Sequence, residues 1–229
     1  MSQDKNECKI TITKDGPCLV SGNVPLFEKI IVPYGNSYKY KDGDELPQSK
    51  TYSLCRCGET STPPFCDGSH LECGFDGSEV ASTDDYLDRI IIKIDGPGLD
   101  LLDDGRCALA RFCHRQNGDS WDLTETSDNP KDREEAIKGA EECPAGRITA
   151  YSKDGHVFEP EYEPSIDILQ DLEYKVSGPM AIKGNIPIVS SNGYTYEIRN
   201  RVALCRCGKS KNKPFCDSIH LEIKYLDKK

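Results

Sequence analysis

The sequence contains no long hydrophobic run, and this absence excludes an integral membrane protein of the helical kind. Nowhere do about 18 to 20 apolar residues follow one another, the length that a membrane-spanning helix needs. The first residues, MSQDKNECKITITK, also lack the apolar core of a secretory signal. We therefore expect a soluble, cytoplasmic protein with no membrane partner.

Positive charge is also scarce. The chain has 29 Lys and Arg against 39 Asp and Glu, which gives a formal net charge of -10. Nucleic-acid binding needs a positive face for the phosphates, so we expect no nucleic-acid partner. The sequence has no Gly-rich phosphate loop and no Ser–His–Asp pattern, so we expect no enzyme. An acidic surface does suit docking onto a basic redox partner.

Cysteine, by contrast, is abundant, with 12 residues in a chain of 229. Disulfides are rare in the cytosol, so cysteines in a cytoplasmic chain are more often metal ligands. A hydrophobic content of 36% is low for one large core, and 14 Pro and 19 Gly interrupt the chain. These values favour several small domains that metals help to stabilise.

Two stretches share one spacing of three cysteines and a histidine, Cys-x-Cys-x8-Cys-x3-His. CRCGETSTPPFCDGSH begins at residue 55, and CRCGKSKNKPFCDSIH begins at residue 205. The ligands predicted from this spacing are Cys55, Cys57, Cys66 and His70 in the first copy and Cys205, Cys207, Cys216 and His220 in the second. The repeat extends upstream, since DGPCLVSGNVPL (15–26) resembles SGPMAIKGNIPI (177–188).

The donor set alone suits either zinc or an iron–sulfur cluster, because thiolates and imidazole bind borderline-soft metals. The single residue between the paired cysteines is unusual for zinc and favours the cluster. Gly58 and Gly68 allow close approach of backbone amides to the cluster, and Thr60 and Ser210 could add hydroxyl groups. A pair of structural zinc sites is the alternative.

The first stretch is similar to the CDGSH iron–sulfur family, the mitoNEET-like proteins. The matching motif positions are Cys55, Cys57, Thr60, Pro64, Cys66, Asp67, Gly68, Ser69 and His70. The second copy keeps all four ligands but has Ser218 and Ile219 where the family has glycine and a small residue. The resemblance implies one [2Fe–2S] cluster in each copy. It also implies that the two units pair around a twofold axis, here as a pseudo-dimer within one monomeric chain.

A third group of cysteines lies between the repeats, at Cys107, Cys113 and Cys143. Cys107 and Cys113 fit the first and third positions of the C-x2-C-x2-C loop of bacterial ferredoxins, and Cys143-Pro144 fits the remote ligand. Ala110 stands at the second position, and small ferredoxins with alanine there, which this segment resembles, carry [3Fe–4S]. The segment also resembles the divergent mono-cluster ferredoxin domains that accompany CDGSH units. A [4Fe–4S] cluster with another fourth ligand, or three unrelated buried thiols, are the alternatives.

The pattern predicts an α+β protein of three domains: a CDGSH domain (1–79), a ferredoxin-like domain (80–160) and a second CDGSH domain (161–229). Period-two alternation predicts strands at residues 9–13 and 194–198.

Other local signals predict further elements. Residues 87–94 and 147–151 are further candidate strands. KDREEAIKGAEE (131–142) predicts a helix capped by Asn129. Residues 107–115 are expected to form a loop that runs into another helix, and residues 34–50 a polar loop.

The predicted function is electron transfer between partner proteins through two [2Fe–2S] clusters and one [3Fe–4S] cluster. The first alternative is transfer or storage of clusters for apo-protein acceptors, or redox sensing, through the labile ligands His70 and His220. The second alternative is an interaction module stabilised by zinc. Three cysteines have no place in these ligand sets, and for Cys18 we expect core packing: Cys8, Cys18 and Cys73.

Overall fold

The computed structural model describes residues 8–227, which fold mainly as β-sheet with a few short helices, an α+β arrangement. The strands are β1 (Lys9–Ile12), β2 (Cys18–Ser21), β3 (Leu26–Tyr34), β4 (Ser37–Asp42), β5 (Thr51–Leu54), β6 (Ile92–Asp95), β7 (Asp100–Asp103), β8 (His114–Arg115), β9 (Gly118–Asp119), β10 (Ile148–Tyr151), β11 (Val157–Phe158), β12 (Ser165–Asp171), β13 (Val176–Lys183), β14 (Ile188–Val189) and β15 (Arg201–Leu204). The helices are α1 (Ser120–Glu125), α2 (Pro130–Glu141) and α3 (Ile219–Glu222), with 3-10 turns at Ser69–Leu71 and Tyr86–Arg89.

Two sheets each contain strands from both repeats. The first has the order β14-β1-β2-β5, and the second has the order β15-β13-β12-β3-β4. Strand β1 of the first copy pairs in parallel with β14 of the second copy. Strand β12 of the second copy pairs in parallel with β3 of the first. The second copy therefore contributes β14 to the first sheet, and the first copy contributes β3 and β4 to the second sheet.

The two exchanges have corresponding registers. Ile10 pairs with Ile188, and Ile166 pairs with Leu26. Leu26 and Ile188 hold the same place in the two repeats, since each directly follows an Asn-x-Pro segment. All four side chains are at most 3% exposed and belong to one core that both copies share. Complete burial of such a side chain stabilises a fold by about 1.5–3 kcal/mol, so separation of the copies would be costly.

The segment between the repeats forms an antiparallel sheet of its own, with the order β11-β10-β7-β6. Helices α1 and α2 pack against it through a small apolar core that includes Leu101, Leu123, Ala136 and Ile148. This core is separate from the one that the repeats share.

The predicted elements of the middle segment are confirmed in part. Helix α2 lies within one residue of the predicted helix at both ends, and the Asn129 side chain accepts a hydrogen bond from the Lys131 N–H (3.0 Å) as its cap. Strand β10 confirms the strand predicted at 147–151. The strand predicted at 87–94 is correct only in β6, because the buried Tyr86 begins a 3-10 turn and its hydroxyl donates to the Leu102 carbonyl (2.8 Å).

Two other local predictions are wrong. Residues 194–198 form only an isolated bridge, between Thr195 and Val189, because Tyr196 packs edge-on against Phe215 (5.1 Å between ring centroids). Residues 107–115 do not run into a helix: their last two residues form β8 of the β8–β9 hairpin, and α1 starts only at Ser120, with Asp119 as its cap.

The loop predicted at 34–50 is partly a hairpin, because β4 pairs with β3 over its whole length. Tyr40 of β4 stacks on Phe112 of the middle segment at 4.4 Å between centroids. In the turn between β3 and β4, the Asn36 N–H donates to the Gln116 side chain (3.1 Å). The insertion of the first copy thus holds the middle segment in place.

None of the helices within residues 8–227 combines the length and the apolar character needed to cross a bilayer.

Candidate metal centres

The four predicted ligands of the first copy lie together as two pairs. Cys55 and Cys57 directly follow β5, with their Sγ atoms 3.4 Å apart. Cys66 Sγ lies 3.3 Å from Nδ1 of His70. Cys66 is held beside β5 because its N–H donates to the Ser53 carbonyl (2.9 Å).

Asp67 fixes the turn that carries His70. Its carboxylate accepts hydrogen bonds from the backbone N–H groups of Ser61 (2.8 Å) and Ser69 (3.0 Å). The two serine hydroxyls and these N–H groups hold the pKa of Asp67 well below its usual range. The N-cap of the turn is Gly68, and the Asp67 carboxylate accepts from Ser69, the first N–H of the turn.

The second copy repeats this geometry. The Sγ atoms of Cys205 and Cys207 are 3.7 Å apart, and Cys216 Sγ lies 3.6 Å from Nδ1 of His220. The hydrogen bond between the first two thiols lowers the pKa of Cys205 and raises that of Cys207. Burial, and then the charge of Arg206, lowers the pKa of His220 to about 4, so its imidazole is neutral at pH 7, the form that binds metals.

The pairwise arrangement distinguishes between a single metal ion and a group with two metals. A tetrahedral zinc ion needs all four donors within about 2.0–2.3 Å of one point. Within residues 8–227, no three Cys, His, Asp or Glu side chains are grouped closely enough to hold one metal ion. In each copy, one Cys–Cys pair and one Cys–His pair instead fit a binuclear group, in which each metal takes one pair.

The hydroxyl groups predicted beside the clusters have a different role. Thr60 donates to the Phe65 carbonyl (2.6 Å), and Ser210 donates to the Phe215 carbonyl (2.7 Å). The proton of each hydroxyl is therefore used in a hydrogen bond within its own ligand loop. It is not free to be donated to a cluster sulfur, contrary to the expectation from the sequence. A backbone group does approach a sulfur, since the Glu59 N–H points at Cys57 Sγ (3.5 Å).

The two ligand loops meet at their glycines. A Cβ on Gly58 would lie 2.6 Å from the carbonyl oxygen of Cys207, and a Cβ on Gly208 would lie 2.3 Å from that of Cys57. Both glycines have φ in the left-handed region, at +79° and +75°. Only glycine allows this reciprocal contact, which brings the two sites to adjacent positions.

The three thiols of the middle segment line one small cavity, together with Ala110 and Trp121. Burial, and then the neighbouring thiols of Cys143 and Cys107, raise the pKa of Cys113 to about 12. Cys107, Cys113 and Cys143 therefore line the same pocket, and their role as ligands of one cluster stays a prediction. Ala110 lines the same cavity.

The loop around this cavity has an unusual backbone. Leu109 and Arg111 both have positive φ, at 49° and 65°, which costs about 1–3 kcal/mol for each residue that is not glycine. The Arg111 guanidinium pairs with the buried Asp171 (2.8 Å), which holds the loop against β12. This backbone brings the Leu109 N–H to 3.2 Å from Cys107 Sγ.

Sequence reasoning missed Arg147, which also lines the cavity. Its guanidinium makes a two-pronged ion pair with the fully buried Asp103 (2.6 and 2.7 Å). Although burial opposes its charge, the bond to Asp103 and the nearby Cys107 raise the pKa of Arg147 above its usual range. A fixed positive charge therefore lies beside the thiols, where it stabilises thiolates.

The middle cavity adjoins the second repeat. Ala108, next to Cys107, packs in one buried group with Cys216 and Ala203. The buried Arg201, at the start of β15, donates to the Cys143 carbonyl (2.9 Å). The third candidate centre is therefore in direct contact with the second.

The remaining cysteines have separate environments. Cys8 and Cys18 lie in the core that the repeats share, as expected for Cys18, and burial raises the pKa of the Cys18 thiol to about 12. Cys73 is exposed.

Paired thiolate and imidazole donors on short loops define the chain as a metal-binding protein of the Cys/His type. Residues 15–71 and 177–221 each match the family described as iron-binding zinc finger, CDGSH type. The two matches support a tandem of CDGSH units and an iron–sulfur protein. The middle segment lies outside both matches. No curated protein and no solved structure matches the chain.

Proposed function

We propose that this protein carries electrons between partner proteins and catalyses no reaction of its own. The proposed cofactors are one [2Fe–2S] cluster at each CDGSH unit and one [3Fe–4S] cluster in the middle cavity. When bound, such clusters supply one-electron redox chemistry. The net charge of -10 favours partners with a basic docking face.

The proposal rests on the direct packing contacts between the three centres. Ala108 packs against Cys216, which joins the middle centre to the second repeat, and Gly58 and Gly208 join the second repeat to the first. Storage of three clusters requires no such contact, whereas passage of an electron through the chain requires short steps between centres. The same contacts and the corresponding strand exchanges support an intrachain pseudo-dimer of the two CDGSH units.

The side chains around the donors support tight binding. Cys55, Cys57, Cys205 and Cys207 are almost completely buried, so water is excluded from one pair of each set. The neutral imidazole of His220 offers a lone pair without losing a proton. In the middle cavity, three thiols and no fourth favour [3Fe–4S] over [4Fe–4S].

The first test is analysis of iron, zinc and acid-labile sulfide in protein purified without oxygen. We expect about seven irons and eight sulfides per chain, the sum of two [2Fe–2S] clusters and one [3Fe–4S] cluster. A redox titration should then show the middle centre gaining and losing an electron. About two zinc ions without sulfide would instead indicate the zinc-stabilised interaction module and refute the proposal.

Cluster transfer is a second candidate function, because Cys66 and His70 of the first unit are only half buried. A ligand within reach of solvent can be exchanged for a ligand of an acceptor protein. Incubation of loaded protein with an apo-ferredoxin tests this candidate. If wild type and His70→Cys both transfer nothing, the chain is not a cluster donor.

A further inference from the structure

We infer that the two CDGSH units have different tasks: the first is the port at which electrons leave the chain, and the second is an internal relay. This inference rests on the proposed electron transfer and deepens it. The two motifs supply the same four donors in the same pairwise geometry. Any difference between them must therefore come from what covers them.

The first centre faces solvent on its histidine side. Cys66 and His70 are half buried, and Leu71, the next residue, is 82% exposed. Residues 71–74, which follow the motif, are all exposed. A partner protein can therefore approach the Cys66–His70 pair without displacing any segment of residues 8–227.

The second centre is enclosed on the same side. Cys216 and His220 are each only 5% exposed. The middle segment covers Cys216 with Ala108, and the Arg106 guanidinium lies 4.1 Å from the ring centroid of Phe215, the residue before Cys216. A partner protein would have to displace the middle segment to reach this pair.

The C-terminal segment covers the other edge of the second centre. Tyr225 packs on Cys205 and Cys207, and its N–H donates to the His220 carbonyl (2.9 Å). Asp227 pairs with the guanidinium of the buried Arg206, which keeps this segment in place. The corresponding residue of the first copy, Phe75, is half buried and contacts Arg56 at 5.5 Å.

The order of contacts puts the enclosed centre between the other two. The middle cavity contacts the second unit, and the second unit contacts the first at Gly58 and Gly208. One electron at a time would enter from a one-electron donor protein and pass along this row. It would leave at the first unit to a one-electron acceptor protein, which is reduced as the chain is reoxidised. No atom or proton is transferred.

A chelator assay tests the difference in access without using electron transfer. The variants Cys66→Ser and Cys216→Ser each remove one ligand, so each leaves one intact CDGSH centre. The chelator bathophenanthroline disulfonate is the probe. We expect the second centre, intact in Cys66→Ser, to lose iron at least about tenfold more slowly than the first centre, intact in Cys216→Ser. The reason is that a chelator reaches buried donors only after local opening of the protein. Equal rates, or faster loss from the second centre, would overturn the inference.

The covering residues provide a matched pair should either ligand variant fail to fold. With the same chelator, wild-type protein should lose visible absorbance in a fast phase from the first centre and a slow phase from the second. Tyr225→Ala should speed the slow phase, whereas Phe75→Ala should leave it unchanged. If neither change affects the slow phase, the C-terminal segment does not shield the second centre. Protein that lacks iron and sulfide from the start would instead refute the proposed function itself.

An electron-transfer assay tests the port directly, with cytochrome c as a basic one-electron acceptor. Leu71 lies beside His70, and Leu226 is an exposed leucine (62%) beside Tyr225. Leu71→Arg should slow reduction of cytochrome c through charge repulsion, and Leu226→Arg, with the same change of charge, should not. Slower reduction by Leu226→Arg alone, or an equal effect of both, would refute the assignment of the port.

Discussion

The contact between the two ligand loops leads to a prediction that two glycine substitutions can test. In Gly58→Ala, the new Cβ would lie 2.6 Å from the Cys207 carbonyl oxygen and 2.9 Å from its carbon, so backbone must move. Gly193 has a similar φ of +89°, but its Cβ would meet open space. Gly193→Ala is therefore the control that reports the cost of the backbone conformation alone.

The two contributions can be estimated separately. A left-handed conformation costs a non-glycine residue about 1–2 kcal/mol, and this applies to both variants. Overpacking adds about 1–3 kcal/mol, and this applies only to Gly58→Ala. We therefore expect destabilisation of about 2–5 kcal/mol for Gly58→Ala and about 1–2 kcal/mol for Gly193→Ala. Gly208→Ala, at the reciprocal contact, should behave as Gly58→Ala does.

Thermal unfolding of the loaded protein under anaerobic conditions, followed by circular dichroism, measures the difference. At about 2–4 °C per kcal/mol for a chain of this size, Gly58→Ala should melt several degrees below Gly193→Ala. Repeating the comparison on metal-free protein separates the contact between loops from metal binding. If Gly58→Ala and Gly193→Ala melt together in both forms, the close approach of the two units does not exist in solution.

Three further predictions concern the middle cavity and the C-terminal segment. Ala110→Cys should raise the iron content of the middle centre from three to four, seen by metal analysis and electron paramagnetic resonance; an unchanged iron content would contradict the placement of Ala110 in the ligand loop. Arg147→Gln removes a positive charge beside the cavity and leaves Asp103 without this partner, so a potentiometric titration should give a lower reduction potential for the middle centre; an equal or higher potential argues against this role. Burial raises the pKa of Asp227, but pairing with Arg206 outweighs burial, so the net pKa is lowered. The ion pair therefore stabilises the fold fully above the ordinary Asp pKa, and this stabilisation is lost as the pH falls through the lowered pKa. Acid unfolding curves should therefore show wild type more stable than Asp227→Asn near neutral pH and the two converging below about pH 4; a constant difference would refute the linkage.

Local sequence signals predicted what depends on neighbours in the chain. The spacing of Cys55, Cys57, Cys66 and His70 indicated a metal site, because ligands on one short loop reach the same place. Helix α2 was predicted to within one residue, since its cap and its helix-forming residues act within a turn. The strand predicted at 194–198 was wrong, because packing of Tyr196 on Phe215 replaces ladder pairing there.

The sequence by itself determined the tandem repeat and predicted the candidate ligand sets, because motif spacing and repeat similarity are properties of the linear chain. Only the tertiary structure decided that the copies exchange strands and that the β3–β4 hairpin packs against the middle segment. It also decided that Arg147 lines the same cavity as the three middle thiols. Only the tertiary structure made two motifs with the same four donors unequal, leaving His70 accessible and His220 enclosed. The physical reason is that burial depends on segments far away in sequence, here Ala108 and Tyr225, whose packing no local pattern encodes.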